Sequence, residues 1–456
     1  MRIEWREVAL PEFGAGATPP ELPPELFAAR CERAYAAAEV DWLVVYGDRE
    51  HYANLVYLTH FDPRFEEAIL LLGPGGRRVL LVGNEGVGYA SQTRLPDVQV
   101  VLCQSLSLMG QSRSEAPRLA DVLRDADIGA GDRIGLVGWK YLEPEEEDRA
   151  VSPLPGFFAP AHLVDTLRGL AGDAAAVTDA THVLMHPANG LRAQLEPVQI
   201  AAFEVAATRS TAAVWRIVHG IRAGMTGHEA VRNMAYEGDP LAAHVLFDSG
   251  RGEIVGLRSA TGRAVAHGDG ISTAVAHWGG LCARAGLVTE ADEEFVQRVA
   301  KPYFTAVAGW YGAVGVGAAG GDIYHTVAEP LAAAGLRPAL NPGHLTGHDE
   351  WVHSPIYAGS TGQLASGMAL QCDIIPVPMP PGWVINCEDP VILADSALRD
   401  TLAREFPETW TRITARRHFM RDILGVPLGD DVLPLSTIPA YLSPCWLAPN
   451  RVMAVE

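Results

Sequence analysis

Residues 341–355 read NPGHLTGHDEWVHSP, which places three histidines, an Asp-Glu pair and a tryptophan within fifteen residues. Imidazole exchanges protons near neutrality and ligates metal ions in its neutral form. Such a stretch can hold a metal, run acid–base chemistry without one, or stand as a solvated polar loop. What meets it decides among the three. Downstream, Asp373 in QCDIIP and Glu388 in INCEDPV each set a carboxylate inside an apolar run. Burying a charge there costs several kcal/mol unless a partner compensates it. One such acid alone reads as a strand-end group in water. Two of them, fifteen residues apart and both after the histidine loop, point to a shared site. His244, His267 in AVAHGDG and Arg284 in LCARAG are further polar groups in strand-like surroundings.

The chain that must position these groups has 456 residues, too many for one ordinary core, so two domains are expected. Its net charge of −20 is spread along the sequence, which argues against nucleic acid or an anionic membrane as partner. The opening MRIEWREVALPEF has charges where a secretion signal needs an apolar run, and a cytoplasmic protein is expected. Six scattered cysteines with no CxxC spacing read as free buried thiols rather than a zinc cluster.

Along the first third, short apolar runs alternate with helical patterns. A helix is predicted over 26–40, with strands at 41–47, 66–73, 77–83, 98–104 and 133–139. The turn Pro74-Gly75-Gly76 joins the second and third of these. This is an α/β domain, 1–185. The texture then changes. A long amphipathic helix covers 196–226, and a second begins at a Thr226/Gly227 cap. Strands are predicted at 244–250, 253–260, 269–288, 368–378 and 383–395, with another long helix before the histidine loop. The segment 190–405 is an α+β domain with two helix pairs each followed by strands, and 406–456 forms a C-terminal extension.

The order of segments resembles the pita-bread family, which includes methionine and Xaa-Pro aminopeptidases, prolidase and creatinase. The stretches that carry the resemblance are YLTHFDPRFEEAILLL, GDGISTAVAHWGGLCARAG, GHLTG, SGMALQCDIIP and GWVINCEDPVIL, in that order over nearly the whole chain. It implies a pita-bread C-terminal domain preceded by a creatinase-type α/β N-terminal domain, in a homodimer acting on a small molecule. The family's metallopeptidases hold two metal ions through two Asp, one His and two Glu. Carried over, the His falls on His344, with His348 as rival, and the two Glu on Asp373 and Glu388. The two Asp positions fall near Ala274 and at Ala283 or Arg284, and none of these is acidic.

A dinuclear centre needs those anionic oxygens to offset dehydration of the ions. Two arrangements remain. In the favoured one there is no cofactor: Arg284 takes the metal's electrostatic place, pairs with Glu388 or a substrate carboxylate, and shares a cavity with His344, Asp373 and Glu388. In the other, a single divalent ion sits on His344, Asp373 and Glu388. The likeness to creatinase implies a metal-independent hydrolase of a small amide- or amidine-type C–N bond. There His244 or His267 falls where the family's base lies, and His353 where relatives place a substrate-binding histidine. Asp349-Glu350 belongs to the same loop, as a substrate contact or a solvated cap, and Trp351 flanks the site. Arg64 in FDPRFEE matches a residue that reaches the partner subunit's site. An Xaa-Pro aminopeptidase-like metalloenzyme and a non-catalytic pita-bread binding protein are the alternatives.

Overall fold

The computed structural model describes residues 1–456 apart from Ala15, Ala17 and Arg149. It divides into a unit of residues 22–193 and a unit formed by 1–21 with 194–456. The boundary lies later than the expected 185, and the first strand, β1 (Ile3–Glu7), belongs to the second unit.

The unit of 22–193 is built on a six-stranded sheet. Its strands are β2 (Trp42–Gly47), β3 (Ala68–Gly73), β4 (Arg77–Val82), β5 (Gln99–Leu102), β6 (Ile134–Val137) and β7 (Val177–Asp179), in the order β5-β4-β3-β2-β6-β7. β2 and β3 read WLVVYG and AILLLG and are buried at every position, as central strands covered on both faces must be. The β3–β4 turn is the expected Pro-Gly-Gly, with Gly75 at φ 70° and Gly76 at φ 77°. Sequence patterning gave no sign of β7, which has only three residues.

In the second unit, β8 (Leu246–Gly250), β9 (Gly270–His277), β10 (Gly280–Leu287), β11 (His344–Leu345), β12 (Ala369–Cys372), β13 (Asn386–Leu393) and β14 (Val432–Pro434) form one sheet. Its order is β11-β12-β13-β10-β9-β8, with β14 added on β13. The single strand expected over 269–288 is a hairpin, because Gly279 adopts φ +97° and turns the chain back so that His277 faces Gly280. No strand forms over 253–260. Gly252 and Gly256 flank a loop pinned to β8 by the Val255 amide on Asp248 Oδ2, at 2.8 Å, and by the Phe247 amide on the Arg258 carbonyl, also at 2.8 Å.

A 24-residue helix, Pro197–Gly220, packs on β9 and β10, and Ser210 ties it down by donating to the Gly280 carbonyl at 2.7 Å. The next helix starts as expected, with Thr226 and Glu229 in a reciprocal cap. The residues after 405 are no separate extension. β14 pairs with β13, and the last strand, β15 (Arg451–Val455), pairs with β1. Their hydrogen-bonding groups and apolar side chains complete the core of this unit. Among the described residues no helix is long and apolar enough to cross a membrane.

Candidate active site

Strand alternation sorts the functional residues before any distance is measured. Ala283 lies opposite Ala274 on β9 and opposite Glu388 on β13, and Ala274 lies opposite Leu246 on β8. His344 lies opposite Gln371 and Gln371 opposite Pro390. Directly paired residues share a face and neighbours in sequence do not. His344, Gln371, Glu388, Ala283, Ala274 and Leu246 therefore line one face. Asp373 continues β12 one residue past the Cys372–Asp389 pair, which sets it beside Glu388.

On that face a ring nitrogen of His344, a carboxylate oxygen of Asp373 and one of Glu388 all lie within 4.8 Å of one another. His344 is wholly buried, and Asp373 and Glu388 are each only 6% exposed. His344 Nε2 is 3.0 Å from Glu350 Oε1 and 3.8 Å from Glu388 Oε1, yet it makes a hydrogen bond to neither. Asp373 Oδ1 and Glu388 Oε1 are likewise buried without a hydrogen-bond partner. The other imidazole nitrogen, Nδ1, lies 3.2 Å from the Leu345 carbonyl. A carbonyl only accepts, so Nδ1 is the donor there, and in the neutral ring Nε2 presents its lone pair to the acids. Trp351 stacks on the imidazole with centroids 4.1 Å apart.

The protonation equilibria follow from this crowding. Burial opposes the charged form of His344, but Glu350 and Glu388 more than offset it and hold its pKa up at about 10. Burial raises Asp373 to about 6. Burial, and then the nearby Asp373 charge, push Glu388 well above the ordinary carboxylate range.

Arg284 does not join this cluster. It faces the opposite side of β10, where its NH2 group donates to both oxygens of Asp389, at 2.9 and 2.8 Å, and to the Ile438 carbonyl. Its remaining donors go to the carbonyls of Tyr441, Ala283 and Glu388. The expectation that this guanidinium neutralises Glu388 or grips a substrate is thus corrected, and the reason is parity: Arg284 stands opposite Cys387, one residue out of phase with Glu388. Its true partner, Asp389, was legible as the other half of the Glu-Asp pair.

His267 is also not brought to the cluster. It lies before the start of β9, 60% exposed, with Nε2 2.9 Å from Glu290 Oε2, and is a turn residue in contact with a surface acid. His244 is exposed, two residues before Leu246. His348, the rival ligand, sets its ring edge-on against Phe203 and Trp278, each at 5.5 Å. His353 closes the loop through its backbone, its carbonyl accepting from the Leu345 amide at 2.7 Å. Arg64, in the other unit, is ion-paired with Asp62 and half-exposed. Glu350 lies against His344 Nε2, beside the three residues whose ligand atoms converge.

The donor set admits one metal ion and not two. One imidazole and two carboxylates converge with unsatisfied buried atoms, as a mononuclear site requires. A second ion would need the carboxylates missing from the neighbouring strands, where Ala274 and Ala283 pack with Leu246, Ala276 and Leu281 in an apolar patch.

No protein-family model and no curated protein matches the sequence. Solved structures do match, and they define the fold as pita-bread. The prolidase from Thermococcus sibiricus aligns at 15% identity over 82% of this chain and 96% of its own, with a TM-score of 0.63. The X-Pro aminopeptidase from Thermotoga maritima aligns at 18% identity over 81% and 95%, with a TM-score of 0.61. The dipeptidase PepE from Mycobacterium ulcerans aligns at 19% identity over 82% and 95%, with a TM-score of 0.59.

Proposed function

We propose that the chain is a hydrolase of a small amide- or amidine-type C–N bond, acting at His344, Asp373 and Glu388 with one divalent ion. The observation that carries this reading is the convergence of three unsatisfied buried atoms, one from each residue. The matching structures are a dipeptidase, an X-Pro aminopeptidase and a prolidase, which supports the bond class. Arg284 is committed to Asp389, so it does not neutralise the two carboxylates. An ion held by the three residues would supply that positive charge and polarise a bound carbonyl or water. His344 is kept in register by Trp351 and the Leu345 carbonyl, and the alanine-lined wall beside Glu388 excludes water from the reacting bond.

A metal-free reading is favoured by one observation, the 3.0 Å approach of His344 to Glu350. Here the imidazolium of His344 balances the acids. Asp373, with its pKa at about 6, takes a proton from water at neutral pH, and protonated Glu388 delivers one to the leaving nitrogen.

The substrate is further expected to meet Arg64 from a second copy of the chain. In support, Phe65 is 74% exposed and Met109 96% exposed, and Glu66 ties the two segments together by accepting from the Leu108 amide at 3.2 Å. Apolar side chains so exposed suit a protein interface.

Metal analysis of purified protein, with guanidino acids, cyclic amidines and proline dipeptides screened with and without manganese, tests these readings. About one tightly bound ion per chain and manganese-dependent hydrolysis support the first. Turnover by metal-free protein supports the second. No turnover in any arm leaves a non-catalytic pita-bread binding protein.

A further inference from the structure

The loop after His344 folds back on itself. The Leu345 amide donates to the His353 carbonyl at 2.7 Å, the Val352 amide to the Leu345 carbonyl at 2.9 Å, and the Gly347 amide to the Asp349 carbonyl at 3.0 Å. These three bonds close a tight hairpin whose far limb returns over the imidazole. Its consequence is local: Trp351 stacks on the ring and Glu350 reaches the ring's Nε2. Glu350 is also close enough to Asp373 and Glu388 for its charge to act on both. Its side chain is 29% exposed, so unlike the two strand acids it can change rotamer without disturbing the core.

Ala274 and Ala283 leave the β9–β10 side of the site without an oxygen donor. A hard divalent cation takes about six or more oxygen or nitrogen ligands, waters included, so three protein donors leave positions open for a further carboxylate. A carboxylate delivered from the histidine loop offsets part of that deficit.

We propose that Glu350 is a fourth metal ligand, supplied by the loop in place of the carboxylates that β9 and β10 lack. The inference rests on the one-ion reading above. Glu350 Oε1 already stands at the nitrogen that faces the acids, and the unsatisfied oxygens of Asp373 and Glu388 complete the set. The hairpin bonds hold its backbone, while its part-exposed side chain has room to rotate toward the two acids. The site is then one imidazole with three carboxylates, a set suited to manganese or a similar hard ion.

Calorimetric titration of chelator-stripped protein with manganese tests this, on wild type, Glu350→Gln, Glu350→Asp and His344→Ala. The visible spectrum of the cobalt-loaded forms provides a second readout, and circular dichroism confirms that each variant is folded. The expected result is one ion per wild-type chain. Glu350→Gln should bind about 10- to 100-fold more weakly, with an altered cobalt spectrum, while Glu350→Asp recovers part of the affinity. Affinity and cobalt spectrum unchanged in Glu350→Gln would overturn the ligand assignment and leave the one-ion reading standing. Wild type that binds no ion would overturn both. Ion binding retained in His344→Ala would place the metal elsewhere and overturn both as well.

Discussion

Arg284 and Glu388 touch the same β-ladder but lie on opposite faces of it. Arg284 NH1 donates to the backbone carbonyl of Glu388 at 2.9 Å, while the Glu388 side chain turns to the other side, toward His344. The guanidinium and Asp389 are 3% and 1% exposed, and Asp389 Oδ2 also accepts from the Ala440 amide at 2.9 Å. This ion pair stitches the C-terminal tail to the central strands.

Arg284→Ala is therefore expected to act on stability. Removing one partner of a buried pair leaves a charge uncompensated and costs about 3–5 kcal/mol. Urea unfolding should show the midpoint fall by the corresponding amount. An unchanged midpoint together with a raised KM would restore Arg284 as a substrate residue.

The paired alanines permit a gain-of-ligand experiment. Ala274 and Ala283 face each other on the Glu388 side of the hairpin, so Ala274→Asp with Ala283→Asp adds two carboxylates next to the existing donors. In metal-free protein these acids lie buried and unpaired, and the double variant should unfold at lower temperature than wild type. Manganese should restore it and raise the bound metal from about one ion to about two per chain, since an ion that binds only the folded state stabilises it. Stoichiometry still near one, with no manganese-dependent rise in Tm, would show that the face is closed to a second ion.

The β9–β10 turn fixes the register of that same hairpin. Gly279 adopts φ +97°, and a Cβ there would lie 2.2 Å from the Phe203 ring. Gly279→Ala meets backbone strain and a clash together, and should cost at least about 2 kcal/mol. Chemical denaturation reads this directly. A loss below about 0.5 kcal/mol would mean that the helix bearing Phe203 yields easily.

Much of this was legible in the sequence, and what was not has physical causes. His344, Asp373 and Glu388 announced themselves because polar groups in apolar runs are costly and so carry information. The strands from Trp42 to Val82 were equally plain from their buried runs and the Pro-Gly-Gly turn. Arg284 was misplaced for want of one step, since the alternation of Glu388 and Asp389 assigns a cation opposite Cys387 to the second acid. Glu350 stands in the sequence only as a substrate contact or solvated cap beside Asp349, and the backbone bonds of the hairpin are what bring its carboxylate back to His344. The tail looks like an extension in the sequence because its short strands β14 and β15 acquire order only through distant partners, β13 and β1.

His277 supplies a pH-dependent test of the opposite face of the sheet. Its Nδ1 bonds Ser210 Oγ at 2.9 Å, and the residue is 5% exposed. Burial lowers its pKa from the ordinary 6.5 and outweighs the upward pull of Asp239, the next largest effect, with Arg209 adding a smaller downward push and Glu237 a still smaller upward one. Above about pH 6.5 the imidazole is neutral both folded and unfolded, and it makes no pH-dependent contribution. As pH falls through that value the unfolded chain gains a proton that the folded one resists, so stability drops until the lower folded pKa is passed. His60, also lowered by burial, adds a slope of the same sign. His277→Gln should therefore be less stable than wild type at about pH 7.5, through loss of the Ser210 bond, and lose less on going to about pH 5.5. Urea midpoints at the two pH values measure the difference. A wild-type advantage that stays constant between them would show that His277 titrates normally in the fold.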